Sequence, residues 1–317
     1  GAGSGRKNFQ NKERNRPVAQ DVRIVNRQKG GESMHREKFT AGLIQMDSRD
    51  LWSDNKKAAG DLIRQAAGEG ASLVILPETA DYVGVDFRRH ATRVPGPVTD
   101  FFQEQAARYG IYLHCGSMTQ KTESGRIRNT SLVFAPDGSL CGYYSKLHLF
   151  DVEIADGPSY RESDEITGGD RIALVDTELC TLGLSICYDL RFPEQFRLMA
   201  RLGAGLLINC ANFTAETGKA HWEPLLRARA IENTCYVAAV GQCGNKPAFR
   251  SWGHTMLIDP WGNILGQLGE KPGVLLGEID MNYLSQVRRQ LPSLANIRDD
   301  VYDLRSSSMQ FFDEGGE

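Results

Sequence analysis

The chain has 317 residues, of which 41% are hydrophobic and 24% are charged, a composition typical of a globular protein with a sizeable core. No segment contains the ~18–20 uninterrupted apolar residues that a membrane-spanning helix requires, so we expect no membrane partner. The formal net charge of −3 gives no reason to expect that the folded body binds nucleic acid.

Residues 1–37 form a basic N-terminal region. Residues 1–38 contain ten Lys and Arg against four Asp and Glu, and they show almost no apolar periodicity. A secretory signal needs an apolar core of about 7–15 residues, which this region lacks. A targeting or interaction arm is one alternative. We expect instead a disordered extension or a non-native tail, followed by a single domain over residues 38–317.

From residue 38 onward, predicted strands alternate with predicted helices. Those of the first half are strands at 38–47, 72–76 and 111–118, helices at 54–67 and 98–110, and a hairpin over 130–146. Those of the second half are a strand pair at 171–187, helices at 193–205 and through 222–233, strands at 206–210, 235–242 and 273–281, and a hairpin over 253–268. Hairpins interleaved with βα units indicate an α/β protein with mixed sheets.

These apolar strands need cover on both faces or packing against a second sheet. No GxGxxG pattern follows the first strand, which argues against a dinucleotide-binding fold.

The seven cysteines are odd in number and scattered, and none forms a CxxC pair. Neither a zinc site nor a redox dithiol is therefore indicated. The six histidines are equally dispersed, without the spacing of a metal site. We expect no metal or other cofactor, and free thiols in a reducing compartment, which makes the cytoplasm the expected location.

Three polar residues stand directly after apolar strands. Glu78 follows SLVILP, Lys146 follows LCGYYS and Cys187 follows LGLSI. Strand ends are where α/β proteins usually place catalytic groups, because the strand fixes the residue and the loop exposes it. Each residue alone also has a structural interpretation: a solvated glutamate, a surface lysine and a buried core thiol.

Together the three residue types supply what amide cleavage needs. The reaction requires a nucleophile, proton transfer to a poor leaving nitrogen and stabilisation of an oxyanion. A carboxylate can take the thiol proton, and an ammonium group lowers the pKa of the thiol. The trio therefore indicates a cysteine-dependent amide hydrolase.

The motifs around these residues resemble those of the nitrilase superfamily of carbon–nitrogen hydrolases. LPE at Glu78, SKLHLFD at Lys146 and CYDLRFPE at Cys187 occur in that family's order, and the resemblance extends from about residue 38 to residue 302. It implies an α-β-β-α sandwich that pairs across subunits, so we expect a homodimer or a higher homo-oligomer. It also implies a second acidic residue after the lysine, here Glu162, whereas Asp151 and Glu153 are expected to be structural.

Within the superfamily, the chain is most similar to Nit-type amidases that act on deaminated glutathione, and next to ω-amidases, which act on 2-oxoglutaramate. Both branches leave 2-oxoglutarate, and they differ in the leaving amine. By the same analogy, the backbone N–H of Tyr188 would assist Lys146 at the oxyanion.

Arg191, four residues past the nucleophile, is the candidate for binding the substrate's carboxylate, since its planar fork can bind bidentately. An ion pair with Glu194 or a contact at the helix start is the structural alternative. Phe213 and Thr214 are candidates for the acyl pocket, with ordinary loop packing as the alternative, and Arg250 is a weaker candidate.

Three other functions are considered. The first is another branch of the same chemistry, such as a carbamoyl-amine hydrolase. The second is a catalytically silent scaffold, which the retention of all four chemical residues disfavours. The third is an acyltransferase, and such members of the superfamily are typically embedded in membranes.

Overall fold

The computed structural model describes residues 35–153 and 159–313. Residues 1–34 lie outside the described residues, so the predicted N-terminal extension and its boundary near residue 38 stay predictions. None of the helices described is long and apolar enough to cross a membrane.

The described residues form 18 strands, six α-helices and two 3₁₀-helices. The strands of the first half are β1 (Lys38–Gln45), β2 (Leu73–Ile75), β3 (Tyr112–His114), β4 (Met118–Lys121), β5 (Ile127–Phe134), β6 (Leu140–Ser145), β7 (Asp151–Glu153) and β8 (Ser159–Arg161). Those of the second half are β9 (Ile172–Asp176), β10 (Thr181–Ile186), β11 (Leu206–Ala211), β12 (Tyr236–Gly241), β13 (Cys243–Asn245), β14 (Arg250–Trp252), β15 (Met256–Ile258), β16 (Ile264–Gln267), β17 (Gly273–Asp280) and β18 (Met309–Phe312). The α-helices are α1 (Trp52–Gly68), α2 (Phe87–His90), α3 (Pro97–Tyr109), α4 (Pro193–Arg201), α5 (Ala215–Asn233) and α6 (Met281–Gln290), and the 3₁₀-helices are Glu162–Asp164 and Cys187–Arg191.

Two mixed sheets organise the described chain, each with seven strands. In the first, β1, β2 and β3 are parallel neighbours, with antiparallel β17 at one side and β5, β4 and β6 at the other. In the second, β10, β11 and β12 are the parallel neighbours, in the order β16-β15-β12-β11-β10-β9-β18. The prediction of mixed sheets is confirmed.

Alternation along the strands explains why the sheets stack. In β2 and just beyond it, Leu73 and Ile75 belong to one buried cluster, and Val74 and Leu76 belong to another. The first cluster also contains residues of the second sheet and of α4 and α5, whereas the second cluster contains residues of α1 and α3. Because successive side chains point to opposite faces of a sheet, this division gives the layers α, β, β, α. The predicted sandwich is confirmed.

The hairpins predicted over 130–146 and 253–268 are confirmed, as is the end of α3 at Gly110, which adopts the left-handed conformation with φ 61°. The single strand predicted over 111–118 is wrong, because the chain turns at Gly116 between β3 and β4. Gly116 has φ 71°, and a Cβ there would lie 1.9 Å from the carbonyl oxygen of Pro77. The hairpins β7–β8 and β13–β14, helix α6 and strand β18 were not predicted.

Candidate active site

The candidate site lies where parallel strands of both sheets end. Glu78 follows β2 of the first sheet, while Cys187, Asn212 and Gln242 directly follow the neighbouring strands β10, β11 and β12 of the second. Carboxyl ends of adjacent parallel strands lie at one edge of a sheet, so these residues converge. A cavity of about 560 Å³ opens at this edge, and Glu78, Lys146, Glu162 and Cys187 line it.

Cys187 is the thiol in this cavity, and it is only 8% exposed. It begins a 3₁₀-helix and adopts a left-handed backbone conformation with φ 48°, which is rare for a residue other than glycine. Its thiol lies beside the Glu78 carboxylate, which acts on it electrostatically. Burial and the negative charge of Glu78 raise the pKa of the Cys187 thiol well above its usual value, and the Lys146 ammonium opposes them. The resting side chain is therefore a protonated thiol beside a carboxylate.

The Glu78 carboxylate is held by three donors. Its Oε1 accepts from Nδ2 of Asn129 at 2.8 Å and from Nζ of Lys146 at 3.1 Å. Its Oε2 accepts from the backbone N–H of Asn212 at 2.6 Å. Donors on both oxygens fix the plane of a buried carboxylate. Glu78 is consequently oriented to receive a proton from Cys187.

Lys146 is buried between two carboxylates. Its Nζ lies 3.1 Å from Glu78 Oε1 and 2.8 Å from Glu162 Oε2. Burial lowers the pKa of Lys146, but the charges of Glu162 and Glu78 outweigh that effect and raise the pKa well above its usual value. The side chain is thus a fixed positive charge beside the thiol, suited to a developing oxyanion.

Glu162 starts a short 3₁₀-helix that follows the β7–β8 hairpin. Its Oε2 accepts from the backbone N–H of Phe150 at 2.7 Å, so the carboxylate is anchored on one side and bound to Lys146 on the other. Asp151 accepts the backbone N–H of Ser163 at 3.0 Å and thereby closes the same hairpin. Neither Asp151 nor Glu153 is in the described lining of the cavity.

The predicted substrate-binding residues divide into two groups. Tyr188, Phe213 and Thr214 line the cavity. Arg191 is not in the described lining; its guanidinium lies 5.4 Å from the centre of the Phe213 ring and 5.8 Å from that of Tyr188. Its nearest polar contact is Nδ1 of His221 at 3.3 Å, rather than Glu194.

Arg250 lies on β14 and forms an exposed ion pair with Glu270. Like Arg191, Arg250 is not in the described lining of the cavity.

Several residues of the site were missed in the sequence. Asn212 and Gln242 meet the same criterion that identified Cys187, a polar residue directly after an apolar strand, and that criterion would have found them. Gln242 donates to the backbone carbonyl of Glu78 at 3.0 Å. Asn129 lies inside β5 and carries no local signal, and Arg161, at the end of β8, lines the cavity without one.

The described residues contain no group of three or more His, Cys, Asp or Glu side chains placed to hold a metal ion. The expectation that no cofactor is needed stays a prediction. What the geometry offers is a thiol, a proton acceptor and a fixed cation within one cavity.

The model of the carbon–nitrogen hydrolase family matches residues 40–289 of the chain. The deaminated glutathione amidase of Synechocystis sp. is 43% identical over 263 residues, which are 81% of this chain and 97% of that protein. The omega-amidase NIT2 of Mus musculus is 38% identical over 271 residues, which are 84% of this chain and 98% of that protein.

Among solved structures, the NitFhit protein of C. elegans superposes with a TM-score of 0.81 and 37% identity, over 86% of this chain and 68% of that one. The two sheets, the strand-end site and these similarities agree, and the predicted resemblance is confirmed. The chain belongs to the carbon–nitrogen hydrolase family of the nitrilase superfamily and is an enzyme that hydrolyses an amide.

Proposed function

We propose that the protein hydrolyses deaminated glutathione to 2-oxoglutarate and Cys-Gly, with Cys187 as the nucleophile. The observation that carries the chemistry is the contact of one buried carboxylate, Glu78, with both the Cys187 thiol and the Lys146 ammonium. The substrate class is supported by the 43% identity to the relative named deaminated glutathione amidase.

In the first half of the reaction, Glu78 accepts the proton of Cys187 Sγ, and the thiolate attacks the amide carbon. The carbonyl oxygen becomes an oxyanion that Lys146 and the backbone N–H of Tyr188 stabilise. Protonated Glu78 then donates its proton to the leaving nitrogen as the carbon–nitrogen bond breaks. The amine departs and the acyl group remains on sulfur as a thioester.

In the second half, Glu78 removes a proton from a water molecule, which attacks the thioester. The acid product leaves and the Cys187 thiol is restored. Glu162 orients Lys146 and the substrate, while Phe213 and Thr214 line the acyl pocket. Arg191 remains the proposed partner of the substrate carboxylate, and it would have to act at the wall formed by Tyr188 and Phe213.

An ω-amidase acting on 2-oxoglutaramate is the second candidate, supported by 36–38% identity to several relatives of that name. The cavity volume of about 560 Å³ lies inside the ~300–1,000 Å³ range of small-molecule pockets and leaves room for the larger substrate as well as the smaller.

The test is a comparison of kcat/KM on deaminated glutathione, 2-oxoglutaramate and an N-carbamoyl amine. A preference of at least tenfold for the first substrate is expected. A preference of that size for another substrate would reassign the function within the same chemistry. Mass spectrometry of quenched enzyme should find the acyl adduct on Cys187, and an adduct on Cys210 or Cys115 instead would contradict the mechanism.

We also propose that the enzyme works in the cytoplasm as a homodimer or a higher homo-oligomer. The location is supported by the free state of its seven cysteines, six of them buried. The assembly rests on the family resemblance. Sedimentation-velocity measurements over a range of protein concentrations would test it, and a monomer throughout that range would contradict it.

A further inference from the structure

Asp189, two residues after the proposed nucleophile, has a fully buried carboxylate that accepts four hydrogen bonds. Its Oδ1 accepts from the backbone N–H of His148 at 3.0 Å and from Nδ1 of the same residue at 2.7 Å. Its Oδ2 accepts from Tyr144 Oη at 2.7 Å and from the backbone N–H of Ile186 at 2.8 Å. Four hydrogen bonds satisfy this buried carboxylate, whose burial without partners would strongly destabilise the fold.

The donors come from the two segments that carry the chemistry. Ile186 directly precedes Cys187, and His148 lies two residues after Lys146. The Asp189 carboxylate therefore joins the end of β6 in the first sheet to the end of β10 in the second. No regular sheet hydrogen bond joins β6 to β10 in the described residues, since the two strands belong to different sheets.

Tyr144 extends the same connection. Its hydroxyl donates to Asp189 and accepts from the backbone N–H of Leu147 at 3.1 Å and from Nε2 of Gln195 at 3.0 Å. Burial and the adjacent carboxylate raise the pKa of Tyr144 well above its usual value, so the hydroxyl keeps the proton that it donates. Leu147 directly follows Lys146, and its backbone is thus bound through the same hydroxyl.

The backbone at Cys187 has a strained conformation that hydrogen bonds from its surroundings must hold in place. Cys187 has φ 48°, a conformation that persists in a residue other than glycine only when its surroundings enforce it. The bond from Ile186 to Asp189 fixes the peptide just before this position.

We propose that Asp189 and Tyr144 are positioning residues that set the separation of the Lys146 ammonium and the Cys187 thiol. Neither residue is in the described lining of the cavity, and both act through the backbone on which the two proposed catalytic side chains stand. The inference rests on the proposed roles of Cys187 and Lys146. A displacement of about 1 Å between groups that must act together can lower a rate by about a hundredfold.

The experiment compares Asp189→Asn and Tyr144→Phe with the matched control Tyr143→Phe, whose hydroxyl lies on the neighbouring, exposed residue of the same strand. Asp189→Asn keeps the shape but replaces one acceptor by a donor. We expect kcat on deaminated glutathione to fall about a hundredfold in Asp189→Asn and about tenfold in Tyr144→Phe, with KM within about twofold of wild type. Tyr143→Phe should match wild type in both constants.

A second readout needs no substrate. The rate at which iodoacetamide alkylates Cys187 can be followed by peptide mass spectrometry. It should fall at least about threefold in Tyr144→Phe, because the Lys146 ammonium lowers the pKa of the thiol and would be displaced from the sulfur. If Asp189→Asn does not fold, Tyr144→Phe carries the test alone. A lower melting temperature with unchanged kcat and unchanged alkylation of the folded protein would overturn the proposal.

Cys187→Ala distinguishes this failure from a failure of the proposed function. If Cys187→Ala still hydrolyses the amide, the nucleophile is wrongly assigned. If Cys187→Ala is inactive while Asp189→Asn and Tyr144→Phe have wild-type kcat, the catalytic assignment stands and the positioning role is wrong.

Discussion

The floor of the cavity and its rim differ in how firmly their side chains are held. On the floor, Glu78, Lys146 and Cys187 follow sheet strands, are at most 8% exposed and bind one another. On the rim, Arg161 ends the β7–β8 hairpin, is exposed, and has no hydrogen-bond or ion-pair partner among the residues that the structure describes; it only faces Asp151 across the hairpin. Because the proposed catalytic groups are fixed in place and Arg161 is not, we expect changes on the floor to act on kcat and changes on the rim to act mainly on KM.

The largest effect is expected at the proposed nucleophile. Cys187→Ala should lower kcat by at least about 10⁴-fold while leaving the fold intact, because Cys187 is the one cysteine in the described lining of the cavity. Cys187→Ser should be nearly as inactive, since a carboxylate is a weak base for a hydroxyl. Steady-state assays with circular dichroism as the folding check would measure this. Substantial activity in either variant would show that the floor does not carry the chemistry as proposed.

Glu78→Gln should separate proton transfer from thiol reactivity. Hydrolysis should fall by about 10²–10⁴-fold, because the proposed general acid and base is lost. The charge of Glu78 raises the pKa of Cys187, so removing it should lower that pKa and enlarge the thiolate fraction at neutral pH. Alkylation of Cys187 by iodoacetamide at pH 7 should therefore become faster while hydrolysis nearly stops.

Glu162→Gln is the matched control for this experiment. It also touches Lys146 but is not among the groups that act on the thiol, so alkylation should change far less. Slower alkylation in Glu78→Gln would mean that Glu78 serves the thiol only as a base.

Lys146→Met should lower kcat by about 10²–10³-fold with KM nearly unchanged, because the proposed cation acts on the oxyanion of the transition state. Lys219→Met, at an exposed position of α5, is the control and should match wild type. If the affinity for substrate collapses while kcat survives, Lys146 binds the ground state and the proposed mechanism fails.

The smallest effects are expected at Arg191 and Arg161, which do not belong to the floor of the cavity. Loss of a charge-assisted bidentate contact should lower kcat/KM about ten- to a hundredfold in Arg191→Met, with partial recovery in Arg191→Lys. The loss should be smaller for an analogue without the carboxylate. Equal losses on the substrate and on this analogue would mean that Arg191 supports Tyr188 and Phe213 rather than binding the carboxylate. In that case Arg161→Gln, at a residue that lines the cavity, should lower kcat/KM for the substrate more than for the analogue.

How far the sequence could predict this site depends on how local each signal is. Cys187 and Glu78 stand directly after apolar strands, so chain order alone located them, and the same rule extends to Asn212 and Gln242. Asn129 could not be found this way, because its role depends on the pairing of β5 with its neighbours, which brings an interior strand residue to Glu78. Arg161 depends on a hairpin whose two short, partly exposed strands lack apolar alternation.

The same dependence on local signals separates the elements of the fold that were predicted from those that were missed. The long buried strands and the helices packed on them were predicted because their apolar periodicity is strong. Helix α6 was missed although Leu284 and Val287 are buried, since the polar run VRRQ masks a short apolar face. The break at Gly116 was missed because it arises from contact with Pro77, which is distant in sequence.

The left-handed backbone of Cys187 sets folding and activity against each other at one position. Glycine would adopt φ 48° without the penalty of roughly 1–2 kcal/mol that a Cβ incurs there, yet glycine has no sulfur. The side chain that strains this backbone is therefore the same one that the proposed reaction needs.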